Sequence, residues 1–470
     1  MLKIRKIIFI ILLLGIAISS IVLFFKYQSN KNHKKFNVIL IVIDALRADH
    51  LGCYGYKRDT SPNIDKFAKE GVLFTKAFSQ GAATRISIPS IFTSLYPGVH
   101  KVLKVNGSLA SPFVTLPELL KKKGYISAAF VGSQLTTISN FQQRFQFYEE
   151  VNIYTTPQIT KKAIDWLKEK SPPFFLYIHY FDCHVPYLPP SPYRNLFYQK
   201  DINEEMDAYM QYFGVDRDSA LPYAQKLKAK GIDRLDFIIS QYDGQIRYVD
   251  DHIKMLLEEL ENLKLSENTL IILTSDHGEE FKDHGYFFHE RVLYDELIHI
   301  PLIIRLPKIL PQSKIIPNLV RHIDIMPTIL DILKISSNNV MQGKSLLPLV
   351  REETTILSDA AFSEGYYNIG HLKLKGIRTD KWKFIEVHNV VTNTYTYELY
   401  DLENDPRELN NLVEEKPKEV SLFKEKLRDY TFSCQKIRGS ILGEDFIDKP
   451  VMLDEETKER LRSLGYINIK

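Results

Sequence analysis

Apolar residues along this chain fall into three kinds of run. The first kind is short and unbroken: Asn37-Val-Ile-Leu-Ile-Val-Ile-Asp44, then Tyr125–Val131, Phe174–Tyr180, Leu270–Ser275 and Pro301–Leu306. Strands of a parallel sheet read this way, because both of their faces are buried. The second kind is periodic: within Tyr242–Leu260 the apolar positions are 246, 249, 253, 256 and 260, the spacing of a helix with one buried stripe. Strands alternating with helices predict an α/β fold, a large mostly parallel sheet covered by helices on both faces. The third kind is a single long run, Ile7–Phe25, of 19 residues without a charge.

That long run has about the length a helix needs to cross a bilayer, ~20 residues. It is expected to be an uncleaved, single-pass N-terminal membrane anchor. A cleaved signal peptide is the alternative, but Lys26, Tyr27 and Gln28 follow the run instead of a small-x-small cleavage site. Lys3, Arg5 and Lys6 precede it and Lys26, Lys31, Lys34 and Lys35 follow it, so charge does not fix the orientation. The rest of the chain is expected on the extracytoplasmic side.

Past the anchor, three regions differ in character. Residues 1–35 are read as anchor and linker, 36–350 as the main domain, and 351–470 as a smaller C-terminal subdomain and tail. In the last, Lys381-Trp-Lys-Phe-Ile-Glu386 and Thr394–Asp401 suggest antiparallel strands, and Asp454 would cap a last helix ending before Gly465. The stretch 191–235 is polar, aromatic and irregular, and reads as an insertion over the sheet's end, where substrate selection is often placed.

Composition narrows the function. Among 470 residues, 61 basic and 58 acidic side chains nearly cancel, so no concentrated basic face points to nucleic acid. Three distant cysteines, Cys53, Cys183 and Cys434, give neither a disulfide framework nor a CxxC zinc spacing.

Ligands of open parallel sheets bind at the carboxyl ends of strands. Asp44 ends the first predicted strand, and Asp276 and His277 directly follow Leu270–Ser275 within Ser275-Asp-His-Gly-Glu-Glu280. One such Asp is ordinarily a turn or helix cap. Two carboxylates and an imidazole at two strand ends, beside Gly278, suggest a site.

These residues also carry a resemblance. Asp44-Ala-Leu-Arg-Ala-Asp-His-Leu-Gly-Cys-Tyr-Gly-Tyr56 with Thr60-Ser-Pro-Asn-Ile-Asp65 is similar to the opening of sulfatases of the alkaline phosphatase superfamily. In the family's order there follow Thr93-Ser-Leu-Tyr-Pro97, His179-Tyr-Phe-Asp-Cys-His-Val-Pro-Tyr187, Thr274-Ser-Asp-His-Gly-Glu-Glu-Phe281 and Leu293-Tyr-Asp-Glu296. Asp324-Ile-Met-Pro-Thr328, Glu398-Leu-Tyr-Asp-Leu402 and Asp405-Pro406 complete the set. The resemblance implies an alkaline phosphatase-like catalytic domain over 36–350 and one divalent metal, with Asp44, Asp276, His277 and the nucleophile as ligands.

Two departures shape the chemistry. Many calcium-dependent sulfatases have a second Asp after the first and an amide after the later one, where this chain has Ala45 and His277. One carboxylate fewer and an imidazole more favour Mn or Zn over Ca, with Mg also compatible. The position of the Cys or Ser that becomes formylglycine falls on Thr84, and the signature's Arg position falls on Ile88. Thr84 would act as a metal-assisted alkoxide and as a metal ligand, or it merely caps a helix beginning near Ser87.

By resemblance, His184 and His289 contact the transferred group or protonate the leaving oxygen. Asp182 and Arg291 are expected to bind substrate, unless Asp182, His184 and His289 hold a second metal. The expected reaction is hydrolysis of a sulfate, phosphate or phosphonate ester, glycan- or lipid-linked. The alternatives are a membrane-anchored transferase of phospho head groups to envelope polymers or lipids, and an inactive binding protein.

Overall fold

The computed structural model describes residues 35–132, 140–151, 156–198, 235–367 and 370–448, together with 453, 455 and 458. Ile7–Phe25, most of the 191–235 insertion and all but Glu455 and Lys458 of the helix expected after Asp454 lie outside the described residues. Among the described residues no helix is long and apolar enough to cross a membrane.

The described residues from Asn37 onward form one compact unit. Its first strands are β1 (Asn37–Ile43), β2 (Val72–Phe78), β3 (Ile126–Val131), β4 (Phe147–Glu150), β5 (Phe174–Tyr180) and β6 (Thr269–Ser275). A two-residue hairpin follows, β7 (Glu280–Phe281) with β8 (Phe287–Phe288), and then β9 (His299–Arg305) and β10 (Lys314–Arg321). Eight of these make one sheet in the order β10-β2-β9-β6-β1-β5-β3-β4. β1 lies at its middle, parallel to β5 on one side and β6 on the other, and every one of its residues is buried. That placement is why its sequence shows no alternation.

The parallel reading holds except at β9, which runs antiparallel to both β6 and β2. Residues 276–298 stay at the carboxyl end of β6, so the chain re-enters the sheet from that end without a crossover.

Helices Pro62–Lys69, Thr156–Glu169 and Leu235–Asn262 bury their apolar faces in a core with β1, β5 and β6, including Phe67, Trp166, Ile246, Ile253 and Leu260. Helix Thr84–Thr93 is buried along its whole length. Its Phe92 packs edge-on to Tyr177 of β5.

Toward the C-terminus, β11 (Ala361–Tyr367), β12 (Leu372–Arg378), β13 (Trp382–Asn389) and β14 (Thr394–Asp401) form a separate antiparallel sheet in sequence order. A second core joins Leu374, Ile385, Tyr400 and Leu402 of this region to Phe78, Leu293, Leu297 and Ile298 of the main one. Helix Pro417–Leu442 follows, with Phe423 stacked on Phe384.

Candidate active site

Register builds the centre of the site. Ile43 of β1 pairs with Ser275 of β6, so the next residues, Asp44 and Asp276, leave adjacent strands side by side. The chain then turns sharply at Ala45, whose φ of 53° is left-handed. The turn is held by Ala45 N–H donating to Asp276 Oδ1 (3.1 Å), Leu46 N–H to Ser275 Oγ (2.9 Å) and the Tyr242 hydroxyl to Ala45 O (2.7 Å). After β6, Gly278 passes so close to Glu296 that an added Cβ would lie 2.0 Å from its carbonyl oxygen, so only glycine fits there.

His277 completes the cluster. Its Nδ1 lies 2.8 Å from Gly278 O, which fixes that nitrogen as the donor and gives Nε2 the lone pair. Ligand atoms of Asp44, Asp276 and His277, all fully buried, lie within 4.8 Å of one another. Thr84 Oγ1 donates to Asp44 Oδ2 at 3.1 Å and is 3.5 Å from His277 Nε2. The structure thus brings together all four sequence-predicted ligands. The helix carrying Thr84 begins at Thr84 itself, with Ala83 at its N-cap and no capping bond from a side chain, so the reading of Thr84 as the cap of a helix beginning near Ser87 is corrected.

Charge in this cluster is unbalanced. Burial and the neighbouring Asp276 push the Asp44 carboxyl well above its ordinary range. Burial works against charge on Asp276 too, but His277 and His179 hold it lower. Asp44 Oδ1 and Asp276 Oδ2 are buried without a hydrogen-bond partner among the described residues. Two buried carboxylates with orphaned oxygens, an imidazole lone pair and a hydroxyl suit a divalent cation, whose charge would relieve the penalty.

Beside the cluster the imidazoles of His277, His289 and His184 lie in succession, with centroids 4.3 Å and 4.9 Å apart. Burial, and then the neighbouring ring, lowers both His289 and His184 to about 3, so each is neutral near pH 7. His289 Nδ1 is 3.0 Å from Glu279 Oε1, and His184 Nδ1 is 2.7 Å from Val185 O.

Asp182 and Arg291 make other contacts. Asp182 is almost fully buried, and its carboxylate accepts from the Thr156 N–H (3.2 Å) and hydroxyl at the start of a helix. It therefore does not join His184 and His289 in a second metal group. Arg291 is exposed and lays its guanidinium over the rings of Tyr286 (4.5 Å) and Tyr367 (5.5 Å).

Sequence reasoning missed three contributors. Glu279 lies within the Ser-Asp-His-Gly-Glu-Glu run, where nothing in the sequence separates it from Glu280, and its carboxylate meets His289. Arg85, next to Thr84, is buried in an ion pair with Glu290 and donates to Leu103 O at 2.9 Å, bracing the helix start. His179 of β5 lies with Nε2 3.4 Å from Asp44 Oδ2 and 3.9 Å from Asp276 Oδ2. Only the strand pairing reveals it: Val42 pairs with His179, and Asp44 follows Val42 by two, on the same side of the sheet.

A further group, Glu280, His284 and Glu296, has metal-like spacing. Both His284 nitrogens are already engaged, Nδ1 with Glu296 (2.7 Å) and Nε2 with Glu408 O (3.0 Å), so it reads as a structural cluster.

Comparison with known proteins adds the following. Residues 36–335 match the family model described as Sulfatase, and 282–432 match N-sulphoglucosamine sulphohydrolase, C-terminal. An N-acetylglucosamine-6-O-sulfatase of Bacteroides thetaiotaomicron is 25% identical over 466 residues, 81% of this chain and 83% of that one. Iduronate 2-sulfatase of Homo sapiens is 28% identical over 357 residues, 63% of this chain and 64% of that one. Among solved structures, the phosphonate monoester hydrolase of Agrobacterium radiobacter has a TM-score of 0.70 at 23% identity, covering 87% of this chain and 96% of that one. A protein solved in complex with its substrate D-glucosamine-2-N,6-O-disulfate has a TM-score of 0.69 at 22% identity, covering 88% and 100%. At such identities the structural likeness speaks to the fold.

Proposed function

Starting from a chain that belongs to the sulfatase family, within the alkaline phosphatase superfamily, we propose that the unmodified Thr84 hydroxyl is its nucleophile. Phosphate or phosphonate esters are then cleaved at least as readily as sulfate esters. The observation that carries this reading is the placement of Thr84 Oγ1, 3.1 Å from Asp44 Oδ2 and 3.5 Å from His277 Nε2.

A divalent metal held by Asp44, Asp276, His277 and Thr84 would supply Lewis acidity, easing loss of the Thr84 proton and dispersing charge on the ester oxygens. The donor set of two carboxylates, an imidazole and a hydroxyl favours Mn or Zn over Ca. Thr84 forms a bond to phosphorus as the ester oxygen leaves, and the leaving alcohol takes up the proton that Thr84 gives up. In this reading His289 and His184, whose rings lie in succession beside His277, carry that proton. With Nδ1 of His289 committed to Glu279, the transfer runs through Nε2. Water then attacks phosphorus and breaks the bond to Thr84, restoring the hydroxyl.

Sulfate fits this route less well. A sulfated threonine has no internal way to expel sulfate, whereas the hydrate of formylglycine does so by becoming an aldehyde. The sugar sulfatases among the relatives support a glycan-linked ester.

The 19-residue apolar run supports a tether that holds the site at a membrane, on the extracytoplasmic face. In that setting an acceptor hydroxyl replacing water would make the protein a head-group transferase. Membrane fractionation of the full chain, and of one lacking residues 1–30, tests the tether.

The deciding experiment assays sulfate monoesters, phosphate monoesters, phosphonate monoesters and phosphodiesters with each metal. Thr84→Ala should abolish turnover, and intact-protein mass spectrometry on a slow phosphoester should trap a phosphate adduct at Thr84. Near-parental turnover in Thr84→Ala, or cleavage of sulfate esters alone, would overturn the mechanism. Products carrying an added acceptor such as glycerol would favour the transferase.

A further inference from the structure

Arg85 directly follows Thr84, and Glu290 directly follows His289. These two neighbours, 205 residues apart in the chain, form an ion pair. Both partners are buried, with side-chain exposures of 1% and 9%. A second contact joins the same segments: the Glu290 N–H donates to Ala82 O at 3.1 Å, two residues before Thr84. The chain on either side of Thr84 is thus tied to the residue after His289. His277 stands near both groups, with Nε2 3.5 Å from Thr84 Oγ1 and its ring centroid 4.3 Å from that of His289.

The pair is built for orientation. Arg85 directs its guanidinium at three segments: Nη1 to Glu290, Nε to Leu103 O (2.9 Å) and Nη2 to Tyr366 O of β11 (3.2 Å). A planar fork held at three points fixes the backbone that carries it, which the single rotating ammonium of a lysine would not do. On the other side, Glu290 has a φ of 78° and Phe288 one of 74°, left-handed shapes that residues other than glycine rarely adopt. Strain of that kind persists where surrounding contacts over-determine it, and it gathers at functional sites. Replacing a buried ion pair by apolar side chains is often neutral for stability, because desolvating both charges offsets their attraction. Stability alone is therefore a weak reason for this pair.

We propose that Arg85 and Glu290 are a positioning pair that sets the spacing between the Thr84 hydroxyl and the His289 imidazole. The proposal rests on the reading of Thr84 as nucleophile and His289 as proton carrier. Neither Arg85 nor Glu290 touches substrate in it, since their charges face each other. The spacing matters because phosphorus must meet Thr84 while the departing oxygen meets His289. A displacement of ~1 Å in such an arrangement costs up to about 100-fold in rate.

The test compares p-nitrophenyl phosphate, whose leaving group needs no proton, with methyl phosphate, whose leaving group does, on the full chain with Mn²⁺. In the double variant Arg85→Met, Glu290→Met, kcat should fall about tenfold on the first ester and about 100-fold or more on the second, with KM little changed. His289→Gln should show the same bias toward the activated ester. An unchanged kcat, a loss confined to KM, or equal losses on the two esters overturns the positioning role while leaving Thr84 and His289 in place. No turnover of either ester by the parent, turnover retained in Thr84→Ala, or a His289→Gln variant that treats the two esters alike overturns the reading beneath it. Circular dichroism checks the fold of each variant. Should the double variant not fold, Glu290→Asp, which keeps the charge and draws it back by one methylene, takes its place, and the same comparison of the two esters decides.

Discussion

The Glu279 carboxylate lies 3.0 Å from His289 Nδ1, two residues past His277, and both partners are buried. Burial pushes the Glu279 carboxyl up to about 7. A carboxylate on Nδ1 fixes the tautomer of the ring, so the chemistry proposed for His289 depends on Glu279.

Glu279→Gln should therefore lower kcat by about 10- to 100-fold with little change in KM. The rising limb of the pH–rate profile should shift, because the group titrating near 7 is gone. A parental kcat and profile would remove Glu279 from the catalytic apparatus.

Asp276→Asn removes a charged oxygen from the cluster while keeping its shape. Metal content after dialysis should fall from about one equivalent to a small fraction, read by elemental analysis. A content equal to the parent's would rule Asp276 out as a ligand.

The His284 cluster gives stability a pH dependence of its own. Burial opposes charge on the ring, but Glu296 and the Glu408 carbonyl outweigh it and lift His284 to about 9, from an ordinary value of 6.5. Because the folded value is the higher one, the stabilisation is complete below 6.5 and drains away as pH rises to about 9. After discounting for solvent screening this amounts to about 1–2 kcal/mol. Thermal melts from pH 6 to 9.5 should show that loss in the parent and much less of it in Glu296→Gln.

Lys383 of β13 is fully buried, with its ammonium 2.8 Å from Asp295 and 3.1 Å from Glu408. Lys383→Met leaves those carboxylates without their main counter-charge. Stability should fall by about 3–5 kcal/mol in denaturant unfolding, with kcat at low temperature nearly unchanged. A loss under 1 kcal/mol would mean that Arg378, 3.5 Å from Asp295, suffices alone.

The strands that reveal themselves in the sequence are those with two buried faces, β1, β3, β5, β6 and β9. β2 and β10 do not. A register shift breaks β2 between Phe74 and Ala77, where Lys76 reaches out to Asp380, and the outermost strand β10 carries Pro317, which an edge strand tolerates. The direction of β9 is set by where residues 276–298 remain, which apolar patterning does not encode.

The clustered residues Asp44, Asp276 and His277 are legible because they stand directly after strands, and Thr84 because a family pattern points to it. His179 is not, because inside Phe174–Tyr180 it reads as one polar residue in an apolar strand. Its meaning comes from the pairing of β5 with β1, a relation across 137 residues of chain between Val42 and His179. Asp182 and Arg291 show the converse. A motif position says which loop a residue is on, while a helix start at Thr156 and two tyrosine rings decide where those side chains turn.

The left-handed turn at Ala45 has an evolutionary side. Asp and Asn adopt that backbone shape more readily than Ala does, because their short polar side chains bond back to the local backbone. Position 45 therefore keeps a conformation suited to an acid while presenting only a methyl group. Ala and Asp codons can differ by one base, so a single mutation could place a third carboxylate here without reshaping the strand end. The backbone at position 45 would thus take an acid without change of fold, and the side chain there, with the imidazole at position 277, is one of two on which the oxygen content of this cluster turns.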